Sequence, residues 1–311
     1  MNTETTAVAA RPQQRRIRRA DVNGWINLDK PVGITSTQAV GRLKFLFNAK
    51  KAGHAGTLDP LASGVLPVAF GEATKTVAVV QEGMKAYRFA VKWGVETDTD
   101  DAEGKPIAQS ELRPTAPAIV AALPAFIGVI MQTPPMYSAI KIAGERAYDL
   151  ARDGAAFEIA AREIVVHRLE LVAHGGDEST FEADCGKGAY VRAIARDLGR
   201  ALGCYGHVSL LRRLRVGPFL AERGVTFERL EAGDEALAAA LLSVEAGLSE
   251  MPRVAIDRNG AATLRRGQRL LLRGSAAPEE GPAYASCFGS PVAVGMVENG
   301  EFVSTRVFNL A

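Results

Sequence analysis

The chain has 311 residues, 47% of them hydrophobic, and a formal net charge of +2, which is enough apolar material for a sizeable core. No apolar run is long enough to span a bilayer, and the N-terminal arginines precede no signal-like stretch, so we expect a cytoplasmic protein. Three scattered cysteines and four histidines show neither a disulfide framework nor a zinc-binding spacing, and we expect no metal. Residues 1–20 are rich in Thr, Ala, Gln and Arg, which predicts a disordered basic tail.

The first ordered segment is typical of a strand followed by a helix. Residues Trp25 to Leu28 predict a short strand. Apolar residues between 39 and 47 recur at helical spacing, and Ser36 or Thr37 is expected to cap that helix. Lys30 therefore lies in a strand-to-helix connection.

A glycine-rich turn at residues 53–67 places one carboxylate, Asp59, between apolar residues. Pro60 has a fixed φ and keeps Asp59 out of the α region, so the carboxylate is held at a set angle. An isolated Asp-Pro pair is usually a turn opener whose carboxylate bonds its own backbone. A carboxylate held in this way is also suited to chemistry.

The middle of the chain alternates between strand and helix patterns. Apolar and polar residues alternate from Tyr87 to Trp93, and two more strand patterns follow at 164–172 and 180–185. The period becomes helical after Gly188. Strands flanked by helices, with no regular strand-helix-strand alternation, predict an α+β domain with a mixed, largely antiparallel sheet.

Basic residues are concentrated in residues 186–216, which hold seven of them and one aspartate, a net charge of +6. Arg192, Arg196 and Arg200 recur every four residues on one face of the predicted helix. Residues 96–103 carry the opposite charge. A polyanionic ligand is expected to lie along the first region and to avoid the second. The alternative to a phosphate-binding surface is that these arginines only keep an exposed helix face soluble.

The C-terminal part has a different pattern. An alanine-rich, helix-like segment runs from Asp234 to Gly247, and five short strand patterns follow within residues 254–308. We therefore expect one domain over residues 21–250 and a small β-rich domain over residues 251–311.

The turn at residues 53–67 resembles the catalytic-aspartate motif of the TruB family of tRNA pseudouridine synthases, which isomerise a uridine in the T loop of tRNA. Further blocks match that family in order: Leu28-Asp29-Lys30-Pro31 with Gly33 and Thr35-Ser36, Lys85-Ala86-Tyr87-Arg88, Pro135-Met136-Tyr137-Ser138-Ala139-Ile140-Lys141, Lys187-Gly188-Ala189-Tyr190-Val191-Arg192, and His207-Val208-Ser209-Leu210-Leu211-Arg212-Arg213. One motif arises easily by chance, whereas an ordered set across residues 22–250 is specific.

The resemblance implies a pseudouridine-synthase-like fold and catalysis by Asp59 on the uridine at tRNA position 55. The reaction breaks the bond between uracil N1 and the sugar, turns the base and rejoins it through C5, and it requires no cofactor. A carboxylate can add covalently or remove a sugar proton, and the sequence leaves these routes open. The family pattern places Arg192 beside Asp59, where a guanidinium keeps the carboxylate charged. A phosphate contact is the other role open to Arg192.

The resemblance also implies a site for the flipped base. Leaving the stack costs the uridine a few kcal/mol, and the family pattern makes Tyr87 the aromatic platform that offsets this cost and assists proton removal from C5. A tyrosine that completes the core is the alternative. Tyr190 and Leu211 match residues that line the base pocket, and each also fits a packing role.

Two further residues belong to the implied substrate-binding set. His54 matches a histidine that enters the T loop where bases have been displaced, although a structural, hydrogen-bonded histidine has the same appearance in a sequence. Lys30 fits either a contact to a backbone phosphate or a hydrogen-bonded role in the Pro31 turn.

The implied partner is the T stem-loop of tRNA, bound by a monomer that needs no other protein. By position, residues 251–311 resemble the PUA-like RNA-binding domain of bacterial members of the family. Two other hypotheses stay open: an RNA-folding module on the same scaffold, and a guide-RNA-dependent relative that works with protein and RNA partners.

Overall fold

The computed structural model describes residues 19–138, 140–142, 145–146, 148, 157–272 and 279–310. All but the last two residues of the predicted basic tail lie outside these ranges. Within them, no helix is both long enough and apolar enough to cross a membrane.

The described chain contains one large sheet, one smaller sheet and two short hairpins. Its strands, in chain order, are β1 Gly24–Lys30, β2 Ala52–His54, β3 Ala62–Phe70, β4 Lys85–Trp93, β5 Val95–Thr97, β6 Pro106–Gln109, β7 Gly128–Gln132, β8 Lys141–Ile142, β9 Glu145–Arg146, β10 Arg162–Gly175, β11 Glu178–Cys185, β12 Gly206–Val216, β13 Phe219–Leu220, β14 Arg253–Ala255, β15 Leu270–Leu271, β16 Gly281–Cys287, β17 Ser290–Glu298 and β18 Glu301–Val307.

Seven helices accompany the described strands: α1 Ser36–Leu46, α2 Val77–Glu82, α3 Ala116–Ala122, α4 Val191–Ala201, α5 Phe227–Leu230, α6 Asp234–Ala240 and α7 Arg258–Arg265. The predicted cap of the first helix was wrong by one residue. Thr35 is the N-cap and forms a capping box with Gln38, because the Ser36 hydroxyl is bonded to the backbone of Leu58 instead.

The strand order of the large sheet is β1-β3-β12-β4-β11-β10-β7, with β2 on β3 and β13 on β12. Among these described pairs, β3–β12 is parallel and the others are antiparallel, as the mixed, largely antiparallel prediction requires. The core lies where α1 and α4 cover the sheet and includes Leu28, Leu43, Phe89, Phe181 and Leu198.

The register of the central strands places three site-forming residues side by side. Gly64 of β3 is opposite Lys30 of β1 on one side and Arg213 of β12 on the other. A side chain at Gly64 has no room, because an added Cβ lies 2.2 Å from the Arg213 carbonyl oxygen. Its φ of +101° also favours glycine.

The smaller sheet has the order β14-β16-β17-β18-β15 and packs with α7, which the sequence analysis missed. Tyr284, Val294 and Phe308 of this C-terminal unit share an apolar cluster with Trp25 and Phe219 of the large sheet. The helix-like segment at 234–247 is also shorter than predicted. It ends at Ala240 because Leu242 leaves to exchange backbone hydrogen bonds with Trp25.

We expect Gly64→Ala to lower the free energy of unfolding by about 3 kcal/mol or more, because the methyl group collides with the β12 backbone. Gly53→Ala is the matched control, since an added Cβ at Gly53 meets nothing within 4 Å, and it should change stability by less than about 1 kcal/mol. Urea denaturation of both variants measures the difference. Equal losses would contradict the packing argument.

Candidate active site

Asp59 lies in the loop between β2 and β3, and the carbonyl groups of this loop are bound one after another. Arg213 donates to the oxygens of Gly56 and Thr57, at 3.1 Å each. Three further donors are the Ser36 hydroxyl to Leu58 at 2.9 Å, the Ala62 amide to Asp59 at 3.1 Å and the Gly33 amide to Pro60 at 2.8 Å. The loop that carries the carboxylate is therefore held in place through hydrogen bonds to its backbone carbonyls.

Lys30, at the end of β1, connects the same loop to the turn before α1. Its ammonium group donates to the carbonyls of Pro31 at 2.8 Å, Ile34 at 2.9 Å and Pro60 at 3.5 Å, and the residue is fully buried. Burial lowers the pKa of Lys30 to about 8, and the charge of Asp59 opposes that decrease. Of the two roles left open, these contacts correspond to holding the turn; a direct phosphate contact is contradicted by the burial.

Arg192, in the first turn of α4, binds Asp59 directly. Its Nη2 lies 2.9 Å from Oδ2 of Asp59, and its Nη1 lies 3.3 Å from Oδ2 of Asp101. The guanidinium also donates to the carbonyls of Thr99 and Tyr137. The Arg192 side chain is 5% exposed, whereas that of Asp59 is 34% exposed. The carboxylate of Asp59 is therefore the member of the pair that is accessible to solvent. A charged, accessible carboxylate in this position can act as a nucleophile or a base.

The other arginines of α4 do not form the predicted phosphate surface. Arg196 binds Asp100 at 2.9 Å, and Arg200 binds Glu96 through two hydrogen bonds. The acidic segment at residues 96–103 was expected to repel a polyanionic ligand. Instead, its carboxylates form ion pairs with the arginines of α4.

The same correction applies to β12. Arg212 binds Asp29 through two hydrogen bonds, and Arg215 binds Glu250 at 2.6 Å. The net charge of +6 over residues 186–216 is therefore largely neutralised within the protein.

A cavity of about 470 Å³ opens beside Asp59, a size typical of ligand pockets. Its walls come from six parts of the fold: Gly56, Thr57, Leu58 and Asp59 of the loop, Gln81 of α2, Lys85 and Tyr87 at the start of β4, Arg162 at the start of β10, residues 187–192 at the entrance to α4, and Leu211 and Arg213 of β12. Among the described residues, five basic side chains and one acid line it: Lys85, Arg162, Lys187, Arg192, Arg213 and Asp59.

The aromatic and apolar residues of the predicted site share this cavity. Tyr87 is opposite Arg213 in the sheet, and burial raises the pKa of its phenol against the opposing effect of that arginine. Tyr190 caps α4, exchanges two hydrogen bonds with Gln132 and lies under Arg162, whose guanidinium is 5.3 Å from the ring centroid. Leu211 is 8% exposed, so it contributes an apolar wall.

His54 lies outside the lining of the cavity. It is the last residue of β2, paired with Val68 of β3, and the Asp59 loop begins directly after it. The structure thus brings Asp59, Tyr87, Tyr190, Arg192 and Leu211 together, with Lys30 beneath the loop and His54 at its start. No set of three described His, Cys, Asp or Glu side chains is arranged to hold a metal ion.

Two family models match the chain: TruB family pseudouridylate synthase (N terminal domain) at residues 44–191 and tRNA pseudouridylate synthase B C-terminal domain at residues 192–249. The chain is also 56% identical over 319 residues to a tRNA pseudouridine synthase B of Bradyrhizobium diazoefficiens, with 100% of this chain and 92% of that protein covered. This chain belongs to the TruB family. A second member, tRNA pseudouridine synthase B of Rhodopseudomonas palustris, is 57% identical over 305 residues, covering 95% of this chain and 83% of its own.

Solved structures carry the same fold as this TruB family member. Chains in a Cbf5-Nop10-Gar1 complex and in an H/ACA RNP bound to a substrate RNA containing 2′-deoxyuridine each match with a TM-score of 0.70 and 26% identity. Each match covers 92% of this chain and 84% of the other. The predicted fold class, α+β with a β-rich C-terminal part, is confirmed.

Three residues of this TruB site had no role in the sequence analysis. Asp101 holds the second side of Arg192, Arg213 fixes the Asp59 loop, and Lys85 lies in the cavity wall. The signal for Asp101 was present, because the acidic residues of 96–101 and the arginines of α4 carry opposite charges. Arg213 and Lys85 belong to two of the family motifs, but nothing in the sequence around them indicated a role in the site.

We expect Arg192→Lys to lower the free energy of unfolding by about 2–3 kcal/mol, because one ammonium group cannot bind two carboxylates and two carbonyls at these positions. Arg88→Lys is the control: Arg88 binds Glu182 at the surface, with a side chain that is 53% exposed, and the loss should stay below about 0.5 kcal/mol. Chemical denaturation at pH 7 compares the two. A loss no larger in Arg192→Lys than in the control would contradict the buried bridge.

Lys85 predicts a pH dependence of stability. Burial, aided by Arg213, lowers its pKa to about 8 from 10.5, so between these pH values the unfolded chain binds more protons than the folded chain. The free energy of unfolding of the wild type should therefore rise relative to Lys85→Met from pH 8 to 10.5, by at most about 1.4 kcal/mol per pH unit. Urea titrations across that range measure it. Lys92→Met, at an exposed position of the same strand, should run parallel to the wild type.

Proposed function

We propose that this chain isomerises the T-loop uridine at position 55 of tRNA to pseudouridine, with Asp59 as the catalytic carboxylate. The observation that carries the proposal is the 2.9 Å pair of Asp59 with the buried Arg192 on the wall of a cavity that also contains Tyr87. The TruB relatives at 56% and 57% identity are named as tRNA pseudouridine synthases, which supports tRNA as the substrate.

The proposed mechanism uses the geometry of the cavity. A uridine that leaves the T loop enters between Tyr87, Tyr190 and Leu211, and stacking on an aromatic ring offsets roughly 1–3 kcal/mol of the cost of unstacking. Arg192 holds the Asp59 carboxylate through a direct ion pair and orients it toward the sugar and base. Asp59 then breaks the glycosidic bond, either by adding covalently or by removing a sugar proton.

The second half of the reaction requires a proton balance. After the base has turned, C5 bonds to the sugar carbon, and this either breaks the bond to Asp59 or is accompanied by return of the sugar proton from Asp59. C5 then loses its proton and N1 gains one, so the product has the composition of the substrate. The raised pKa of Tyr87 keeps its phenol protonated at neutral pH. It can therefore donate a hydrogen bond to the base and receive the C5 proton only through its oxygen lone pairs, as a relay.

We further propose that the chain acts in the cytoplasm as a monomer, without a guide RNA or another protein. The matched Cbf5 chain occurs in a complex with Nop10 and Gar1, so this part of the proposal separates the chain from that relative. Residues 21–250 would form the catalytic domain, and residues 251–311 a PUA-like domain that binds RNA.

We expect Asp59→Asn to reduce pseudouridine formation in an unmodified tRNA transcript by more than about 10³-fold, because an amide can neither add to the sugar nor accept its proton at a useful rate. Affinity for the transcript should be retained. Carbodiimide derivatisation, which adds mass to pseudouridine, followed by mass spectrometry of nuclease fragments measures both the extent and the position of the product.

The control is Asp177→Asn, which removes a surface carboxylate that binds Arg113 and should leave the rate unchanged. The purified wild-type chain must modify the transcript with no added protein or RNA. Near wild-type rates in Asp59→Asn would contradict the catalytic role, and a requirement for added factors would contradict independent action.

A further inference from the structure

The hairpin between β16 and β17 has an unusual residue at its tip. Cys287 pairs with Ser290, so the turn consists of Phe288 and Gly289, whose φ angles are +49° and +81°. Two-residue hairpin turns with two positive φ angles are of type I′, in which asparagine or glycine is favoured at the first position. A bulky aromatic residue is strained there.

The neighbouring hairpin supplies an internal comparison. Between β17 and β18, the turn is Asn299-Gly300, with φ angles of +52° and +75°. The two turns have nearly the same backbone conformation, and one of them has the favoured residue. Phe288 therefore retains a conformational cost that an asparagine would remove, and strained residues of this kind are concentrated at functional sites.

Phe288 has no evident packing role that would offset this cost. The residue is 81% exposed and belongs to none of the apolar clusters of the described chain. Its ring is instead approached by Arg258, the first residue of α7, whose guanidinium carbon lies 5.5 Å from the ring centroid. An exposed ring beside an arginine is the arrangement with which proteins stack unpaired bases.

The adjacent helix face adds positive charge. Arg258 and Arg265 are seven residues apart on α7 and so lie on the same face, separated by about 10 Å along the helix axis. Both are exposed, and neither forms an ion pair with any residue in the described ranges. This distinguishes them from the arginines of α4 and from Arg212 and Arg215 of β12, which are bound to carboxylates of the protein.

We propose that Phe288 and Arg258 form a stacking site for an unpaired nucleotide of the RNA substrate, with Arg265 bound to a neighbouring phosphate. The identity of the ligand rests on the proposed function. The site belongs to the C-terminal unit and is separate from the cavity of Asp59, so it contacts a part of the RNA outside the T arm. The two free arginines favour a polyanion over a protein partner.

The test uses a substitution whose effects on stability and on binding have opposite signs. Phe288→Asn restores the favoured turn residue and should raise the melting temperature by about 2–5 °C. It should weaken the affinity for full-length unmodified tRNA by about five- to twenty-fold. Conversion of a T-arm hairpin should be unchanged. Wild-type affinity for tRNA in this variant would overturn the proposal, as would an equal loss with the hairpin.

A charge variant tests the second residue. Arg258→Met should cause a similar loss of tRNA affinity, and Arg265→Met, which removes the proposed phosphate contact, should also reduce the slope of log affinity against log salt by about one. The control is Arg306→Met, which removes one positive charge from an exposed position of β18 in the smaller sheet. This variant should bind tRNA as the wild type does. An equal loss of affinity would overturn the proposal in favour of diffuse electrostatic attraction. A wild type that binds tRNA but modifies neither tRNA nor the hairpin would refute the proposed function, while the affinity comparison would still decide this site.

Discussion

The bridge that Arg192 makes between Asp59 and Asp101 is the interaction on which the geometry of the site depends. A buried guanidinium is costly unless its donors are bound, and here two carboxylates and two backbone carbonyls bind them. One of the two carboxylates, Asp101, is buried, whereas Asp59 is partly exposed. The arginine therefore connects the interior of the protein to Asp59, the acid that lines the cavity.

The distribution of charge follows from this bridge. The acidic segment at residues 96–101 binds the arginine row of α4, so the most basic part of the sequence is also the part most occupied with internal contacts. Among the described basic residues of the cavity wall, Lys85, Arg162 and Arg213 form no ion pair, whereas Lys187 is bound to Glu82. Attraction of an anionic ligand is thereby focused on the cavity beside Asp59.

Much of the fold was predictable because it depends on local periodicity. The alternating pattern from Tyr87 to Trp93 and the helical pattern after Gly188 correspond to β4 and α4. The pairing of arginines near residue 196 with acids near residue 100 was not predictable, because a charge pattern does not identify its partner about 95 residues away. Helix α7 was missed since it has only eight residues, too few for its period to stand out among short strand patterns.

The candidate site shows the same division. Motif resemblance indicated Asp59, Tyr87, Tyr190, Arg192 and Leu211, and the structure places all five around one cavity. It indicated Lys30 as a substrate contact, whereas the folded chain buries this ammonium among backbone carbonyls. The ammonium group of any lysine can donate hydrogen bonds to oxygen atoms. Whether the acceptor is an RNA phosphate or a backbone carbonyl of the protein depends on how deeply the lysine is buried, and the sequence does not show this.

The carbonyls of residues 56–60 are bound by donors from Arg213, Ser36, Ala62 and Gly33. A peptide oxygen is the same whichever side chain its residue carries, so these hydrogen bonds do not depend on the identity of the exposed Thr57, whereas Leu58 is fixed by its burial in the core. Position 57 can therefore accumulate neutral changes over evolutionary time while Asp59 keeps its place. The side-chain donors, Ser36 and Arg213, lie far away in the sequence, and substitutions there would disturb the loop.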